Sequence, residues 1–330
     1  MANNNRNSTI DIIKAVLIIL IILTHYSWTV EQRQNVVFPL VIDMAVPIFM
    51  FLSGYVGAIS FDKRGVDSLE KAYSFQQIIH KFIRYTIPYL FFLVVEFLIP
   101  TINKPKGSKS ELLKWIINGA EGPGSYYYPI LVQLIFLFPL IYFIIFRNHK
   151  YGIWICLLIN LMYELLKWSY DMGVYCYRLL IFRYIFILAF GIHMYRGSIH
   201  KSTSIALVVL GGIFIVLTRY EIYSPRIITF WTGTSCLADM WIIPLISFIV
   251  KKVKIHLYPL EMIGRASYNI FFVQMIYYSI DRTKLSLSIK SWIIELIIGV
   301  VICLVVGIVF FEIESRITRL FIKNLHIKES

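Results

Sequence analysis

Apolar blocks about twenty residues long follow one another along the whole chain. An α-helix rises about 1.5 Å per residue, so a block of that length crosses the ~30 Å hydrocarbon core of a bilayer. Such a chain is too apolar for a water-soluble fold. Of its residues 58% are hydrophobic and 15% charged, where soluble domains carry roughly 25% charged residues. The expected fold is all-α, a polytopic transmembrane helical bundle of about ten spans. These fall roughly at 9–29, 36–60, 84–100, 127–146, 151–168, 177–195, 203–219, 227–250, 262–280 and 292–315. A single membrane-embedded domain is expected over 1–330, with no fused soluble domain. No cleavable signal peptide is expected either, because the first block lacks an A-x-A-type site.

The formal net charge is +13. The basic residues sit in the loops between apolar blocks, where the positive-inside effect places them. With no basic domain outside the membrane, nucleic acid is not an expected partner. An even number of spans puts both termini on one side. Lys and Arg are more numerous in the loops of that side, so a multi-pass protein of the cell membrane with both termini cytoplasmic is expected. The lysines at 104, 106, 109 and 114 run against that bias. In the same stretch, "SELLKWIING" reads as a short amphipathic helix at the outer surface. The four cysteines show no C-x-x-C spacing, which gives neither a disulfide framework nor a metal site.

Within the first span, "KAVLIILIILTH" sets Lys14 and His25 eleven positions apart. At about 100° per residue they end about 20° past three full turns, on one face, with Cα atoms about 16 Å apart in height. Asp11, three residues before Lys14, can pair with its ammonium. Position alone also allows Lys14 to snorkel to the headgroups and His25 to be an interfacial polar residue. An ionisable side chain in a span is costly, however, unless it faces a polar interior. Imidazole is suited to general-base work near neutral pH, taking the proton of a hydroxyl that attacks an acyl carbonyl, or to being acylated in transit. A cation nearer the cytoplasm suits an anionic donor, and an acyl-CoA has that shape.

The second span, "VIDMAVPIFMFLSGYVGAI", contains Pro47, expected to kink it. Ser53, Gly54, Gly57 and Ala58 give a small face that permits close helix packing or a ligand channel. Asp43 lies in this apolar run and needs a partner. Ahead of the third span, Lys81 and Arg84 share a helix face at the cytoplasmic edge. Such a pair can anchor the helix or bind phosphates. Arg183, inside a later span, needs an acid, for which Asp43, Glu164 and Asp239 are the candidates. "GSYYYP" at 124–129 is a candidate sugar platform, or part of an interfacial aromatic belt.

Taken in order, "IDIIKAVLIILIILTH", "VPIFMFLSGY", "KFIRYTIPY", "IGRASYNIFFVQ" and "FFEIES" resemble the membrane acyltransferase-3 family. The family places a basic residue and a histidine in its first span with ten residues between them; here they are Lys14 and His25. Its basic pair with two intervening residues falls on Lys81 and Arg84, and its final-span acid on Glu312. The resemblance implies acyl transfer, usually acetyl, from cytoplasmic acetyl-CoA to a hydroxyl of a cell-envelope glycan or lipid-linked sugar. It implies that Lys14, Lys81 and Arg84 hold the donor and that His25 is the catalytic imidazole, with acetyl-CoA a substrate and no bound cofactor. This chain departs from the pattern in carrying Lys14 where arginine is usual, which loses a bidentate fork, and Gln274 where many relatives have histidine.

Two other readings compete. Intramembrane Asp, Glu, His and Arg also mark transporter pathways, although corresponding broken helices in two halves are not evident. A catalytically inactive membrane sensor on the same fold is the third.

Overall fold

The computed structural model describes residues 7–29, 31–32, 36, 42, 44–99, 102, 108–148, 151–197, 200–219, 240–280 and 291–324. Regular structure among them is helical, with no strand. The helices are α1 Ser8–Thr24, α2 Ala45–Lys63, α3 Leu69–Ala72, α4 Phe75–Leu98, α5 Lys109–Ile117, α6 Tyr127–Arg147 and α7 Gly152–Ser169. Next come α8 Val174–Leu179, a 3-10 turn at Ile181–Tyr184, α9 Ile185–Arg196, α10 Lys201–Arg219, α11 Ile243–Lys252, α12 Tyr258–Arg265, α13 Ser267–Ser279 and α14 Trp292–Asn324. Among the described residues, four stretches are long and apolar enough to cross a membrane: Ala45–Lys63, Leu69–Leu98, Tyr127–Arg147 and Trp292–Lys323.

The chain gathers into two compact units. One comprises Met1–Val36, Ile79–Leu131 and Lys254–Glu329; the other comprises chiefly Val37–Ile78 and Val132–Val253. In the first, α1 starts at an Asn7 cap whose side chain accepts from the Thr9 amide at 3.1 Å, satisfying one of the orphan donors of a helix N-terminus. Most of α1 is buried. α14 is its opposite. Ile297, Val301, Val305 and Val309, each one turn beyond the last, are 51–56% exposed. An apolar stripe of that kind on a long apolar helix is a surface built for lipid.

In the second unit, α2 and α9 meet backbone to backbone. A Cβ on Gly54 would lie 2.0 Å from the Leu188 carbonyl oxygen, and one on Gly191 would lie 2.0 Å from that of Phe51. The small face of the second span is thus used for packing at Gly54. Of the expected second span, the described helix α2 begins at Ala45. Pro47 therefore stands in the first turn, where its missing N–H has no intrahelical acceptor to lose.

The segment expected as one span over 177–195 is broken. α8 stops at Leu179, Leu180 is extended (φ −103°, ψ 138°), and the 3-10 turn leads into α9. Gln133 of α6 clasps the break. Its Nε2 donates to the Leu179 carbonyl at 2.7 Å, and its Oε1 accepts from the Ile181 amide at 3.1 Å. Backbone groups freed at a break in an apolar surround must find partners inside the protein, and one side-chain amide serves both.

Candidate active site

The two ends of α1 lie in different chemical surroundings. At its start, buried Asp11 is paired with Arg265 at the end of α12, Nε to Oδ2 at 3.8 Å. Arg265 also donates to Glu261, one turn back on α12, at 3.3 Å, and His256 Nδ1 lies 3.6 Å from the same carboxylate. Thr9 Oγ1 accepts from the Ile255 amide at 3.3 Å. Gly264 makes this approach possible, since a Cβ there would stand 1.8 Å from the Asp11 carbonyl oxygen. Arg265 was not legible as a partner of Asp11: the two are far apart in sequence, and no periodicity links them. Lys14, one turn further along α1, is half-buried.

At the other end His25 is the C-cap, its backbone N–H donating to the Ile22 carbonyl at 3.3 Å. Trp28 folds back so that Nε1 donates to the Leu23 carbonyl at 2.7 Å. The half-buried His25 ring faces Tyr278 of α13, centroids 6.3 Å apart and planes at 60°. Beside it, the Tyr26 hydroxyl donates to Glu295 Oε2 on the first turn of α14 at 3.1 Å. The Trp28 and Trp292 rings meet edge-on at 5.9 Å. Lys14 and His25 are thus carried by one helix about 16 Å apart in height, the first one turn from Asp11 of a carboxylate–guanidinium cluster, the second at the helix cap beside the Tyr278 ring.

Lys81 and Arg84 belong to the same compact unit. α4 begins at Phe75, so they lie inside the helix, Lys81 half-buried and Arg84 exposed. Further along α4, Tyr89 stacks on Tyr128 at 3.7 Å, and Thr86 is bonded to the Tyr128 hydroxyl at 3.2 Å. Tyr127 meets Phe271 at 4.8 Å. Tyr127 and Tyr128 of "GSYYYP" therefore engage rings inside the unit. The helix expected in "SELLKWIING" forms as α5, and the Tyr89 hydroxyl is bonded to its Ile116 carbonyl. Tyr89 lies nine positions before Leu98, so α5 folds back about 14 Å along α4. The chain then turns through Gly119, Ala120, Gly122 and Gly124, all with positive φ. Glu96 Oε1 accepts from the Glu121 amide at 3.0 Å, and Gln274 Nε2 donates to the Pro123 carbonyl at 3.1 Å.

Two other expected residues lie in the second unit. Ser53 Oγ donates to the Phe49 carbonyl at 2.9 Å, a bond within its own helix. Arg183 is buried in the 3-10 turn, its guanidinium over the rings of Tyr184 (4.3 Å) and Tyr177 (5.6 Å). The Tyr177 hydroxyl is in turn bonded to Glu164, which places that candidate acid in this cluster. Asp43 and Asp239 lie outside the described residues. On α14, Glu312 is only half-buried, and the enclosed carboxylate is Glu314. Glu314 accepts from Asn269 Nδ2 at 3.2 Å and from the hydroxyl of Thr318. The signal for it was available: Glu314 and Thr318 are four apart, on one helix face. Among the described residues no group of three or more His, Cys, Asp or Glu could hold a metal ion.

The fold and its lipid-suited faces define a helical membrane protein. The chain belongs to the acyltransferase-3 family, whose model, described as an acyltransferase domain, matches residues 7–312; it is an acyltransferase of that family. No curated protein and no solved structure matches it.

Proposed function

We propose that the protein is an integral-membrane O-acyltransferase of the cell membrane. In this reading it moves an acyl group, acetyl in the simplest case, from cytoplasmic acetyl-CoA to a hydroxyl of a cell-envelope glycan or lipid-linked sugar. The observation that carries the reading is the placement of Lys14 and His25 on one largely buried helix, the histidine at its far end. Lys14, with Lys81 and Arg84, offers cations to the phosphates of the donor. His25 takes the proton as the acceptor oxygen attacks the thioester carbonyl. The C–O bond forms, the C–S bond breaks, and the proton passes to the departing CoA thiolate. The carbonyl end of α1 favours the cation that imidazole becomes at that moment. The ten-span arrangement belongs to this proposal, as do two cytoplasmic termini. Its support is that each expected span contains at least part of a helix.

The test is His25→Ala in protein reconstituted with acetyl-CoA and envelope glycan. Ester-linked acetyl on the glycan is expected to form about 10²–10⁴-fold more slowly, the usual worth of a general base, with CoA binding retained. Undiminished transfer would rule out the imidazole mechanism.

A further inference from the structure

The loop after α5 is fastened to α13 by an amide whose two ends are used unequally. Gln274 is fully buried, 0% exposed. Its Nε2 donates to the Pro123 carbonyl at 3.1 Å. Only the nitrogen of the amide can donate, so that bond decides which way the group points. Oε1 is then buried with no hydrogen-bond partner among the described residues. Native proteins satisfy nearly all such groups, and a persistent exception calls for a reason. The oxygen can only accept, so whatever satisfies it must bring a donor, an O–H or an N–H.

Position narrows the choice. Gln274 and Tyr278 are four residues apart on α13 and share a face, about 6 Å apart along the axis. The Tyr278 ring is the one that faces His25. The loop on the other side of the amide is firmly held. Glu96 binds the Glu121 N–H, a Cβ on Gly122 would stand 2.7 Å from Ser279 Oγ, and one on Gly124 would stand 2.7 Å from the Phe271 ring. The amide is therefore pre-oriented by its surroundings, the usual mark of a binding group held on a supporting shell.

Resting on the acyl-transfer reading above, we propose that Gln274 Oε1 accepts the hydrogen bond of an acceptor hydroxyl and helps to hold the sugar on the His25 side of α13. Gln274 is thus a substrate-positioning group, and the ligand class is a polyhydroxylated glycan.

Reconstituted full-length protein, acetyl-CoA and the isolated envelope glycan provide the test. Gln274→Met keeps length and bulk without a strong acceptor. It should raise the glycan KM at least about tenfold while leaving acetyl-CoA binding, read by calorimetry, within about twofold. Gln274→Glu, as the neutral acid, can donate its O–H to the Pro123 carbonyl while the second oxygen stays an acceptor, and should return the glycan KM to within about threefold of the original. An unchanged glycan KM in Gln274→Met would overturn the proposal. Equal loss of acetyl-CoA binding and glycan use would also overturn it, marking a structural role. If Gln274→Met does not fold, a tenfold rise in glycan KM for folded Gln274→Glu counts against the idea and retention of use counts for it. Absence of any transfer by the unmodified protein would instead remove the acyl-transfer reading, and this inference with it.

Discussion

At the scale of single residues, the first span separates what spacing can reveal from what it cannot. Lys14 and His25 share a helix, so their common face follows from 3.6 residues per turn. The partners of that helix follow from no such rule. Asp11 was legible as a companion of Lys14, yet its guanidinium neighbour Arg265 reaches it only because Gly264 lets two backbones touch. The final-span acid shows the same limit. Glu312 and Glu314 look alike in "FFEIES", and only packing decides that Glu314 is the enclosed one. The donor role of Lys14 makes a separate prediction. Lys14→Ala should raise the KM for acetyl-CoA about tenfold or more with a smaller change in kcat, because a charge-assisted bond to phosphate contributes about 1.5–3 kcal/mol. Lys14→Arg should retain use of the donor. Steady-state kinetics with acetyl-CoA as the varied substrate distinguishes the two.

At the scale of elements, glycine and glutamine fix the joints. Gly264 against Asp11 in one unit, and Gly54 against Leu188 in the other, leave no room for a methyl group. Small residues at such contacts are how helices pack closely in a bilayer, where no hydrophobic drive pushes them together. Gly264→Ala and Gly54→Val should each cost about 1–3 kcal/mol by overpacking, seen as a lower melting temperature in detergent. An exposed change such as Val301→Leu should leave that temperature within about a degree. The small-xxx-small pattern was visible in "SGYVGA", whereas Gly264 carried no such sign. The break after Leu179 was hidden in the sequence as well, because the apolar content of 177–195 is that of a continuous helix. What ends α8 is the extended backbone at Leu180, held by a side chain, Gln133, from another helix.

At the scale of the whole molecule, hydropathy controls the solvent and charge controls the orientation. Reporter fusions at residues 1 and 330 should both report the cytoplasm, as the surplus of Lys and Arg in the loops of the proposed cytoplasmic side favours; an extracytoplasmic signal from either end would overturn the scheme. The sequence by itself determined that the chain is helical and lives in lipid. Block length and composition decide that, and each backbone group in hydrocarbon must be satisfied within its own helix. Its spacing also predicts that Lys14 and His25, the cap of the helix that carries Lys14, share one face about three turns apart. Only the tertiary structure decided that Tyr127 and Tyr128 of "GSYYYP" engage rings inside a unit, that α5 folds back along α4, and that the loop after it presents Pro123 to Gln274. Those contacts join residues remote in sequence through side-chain shape and hydrogen bonding, and no local period encodes them.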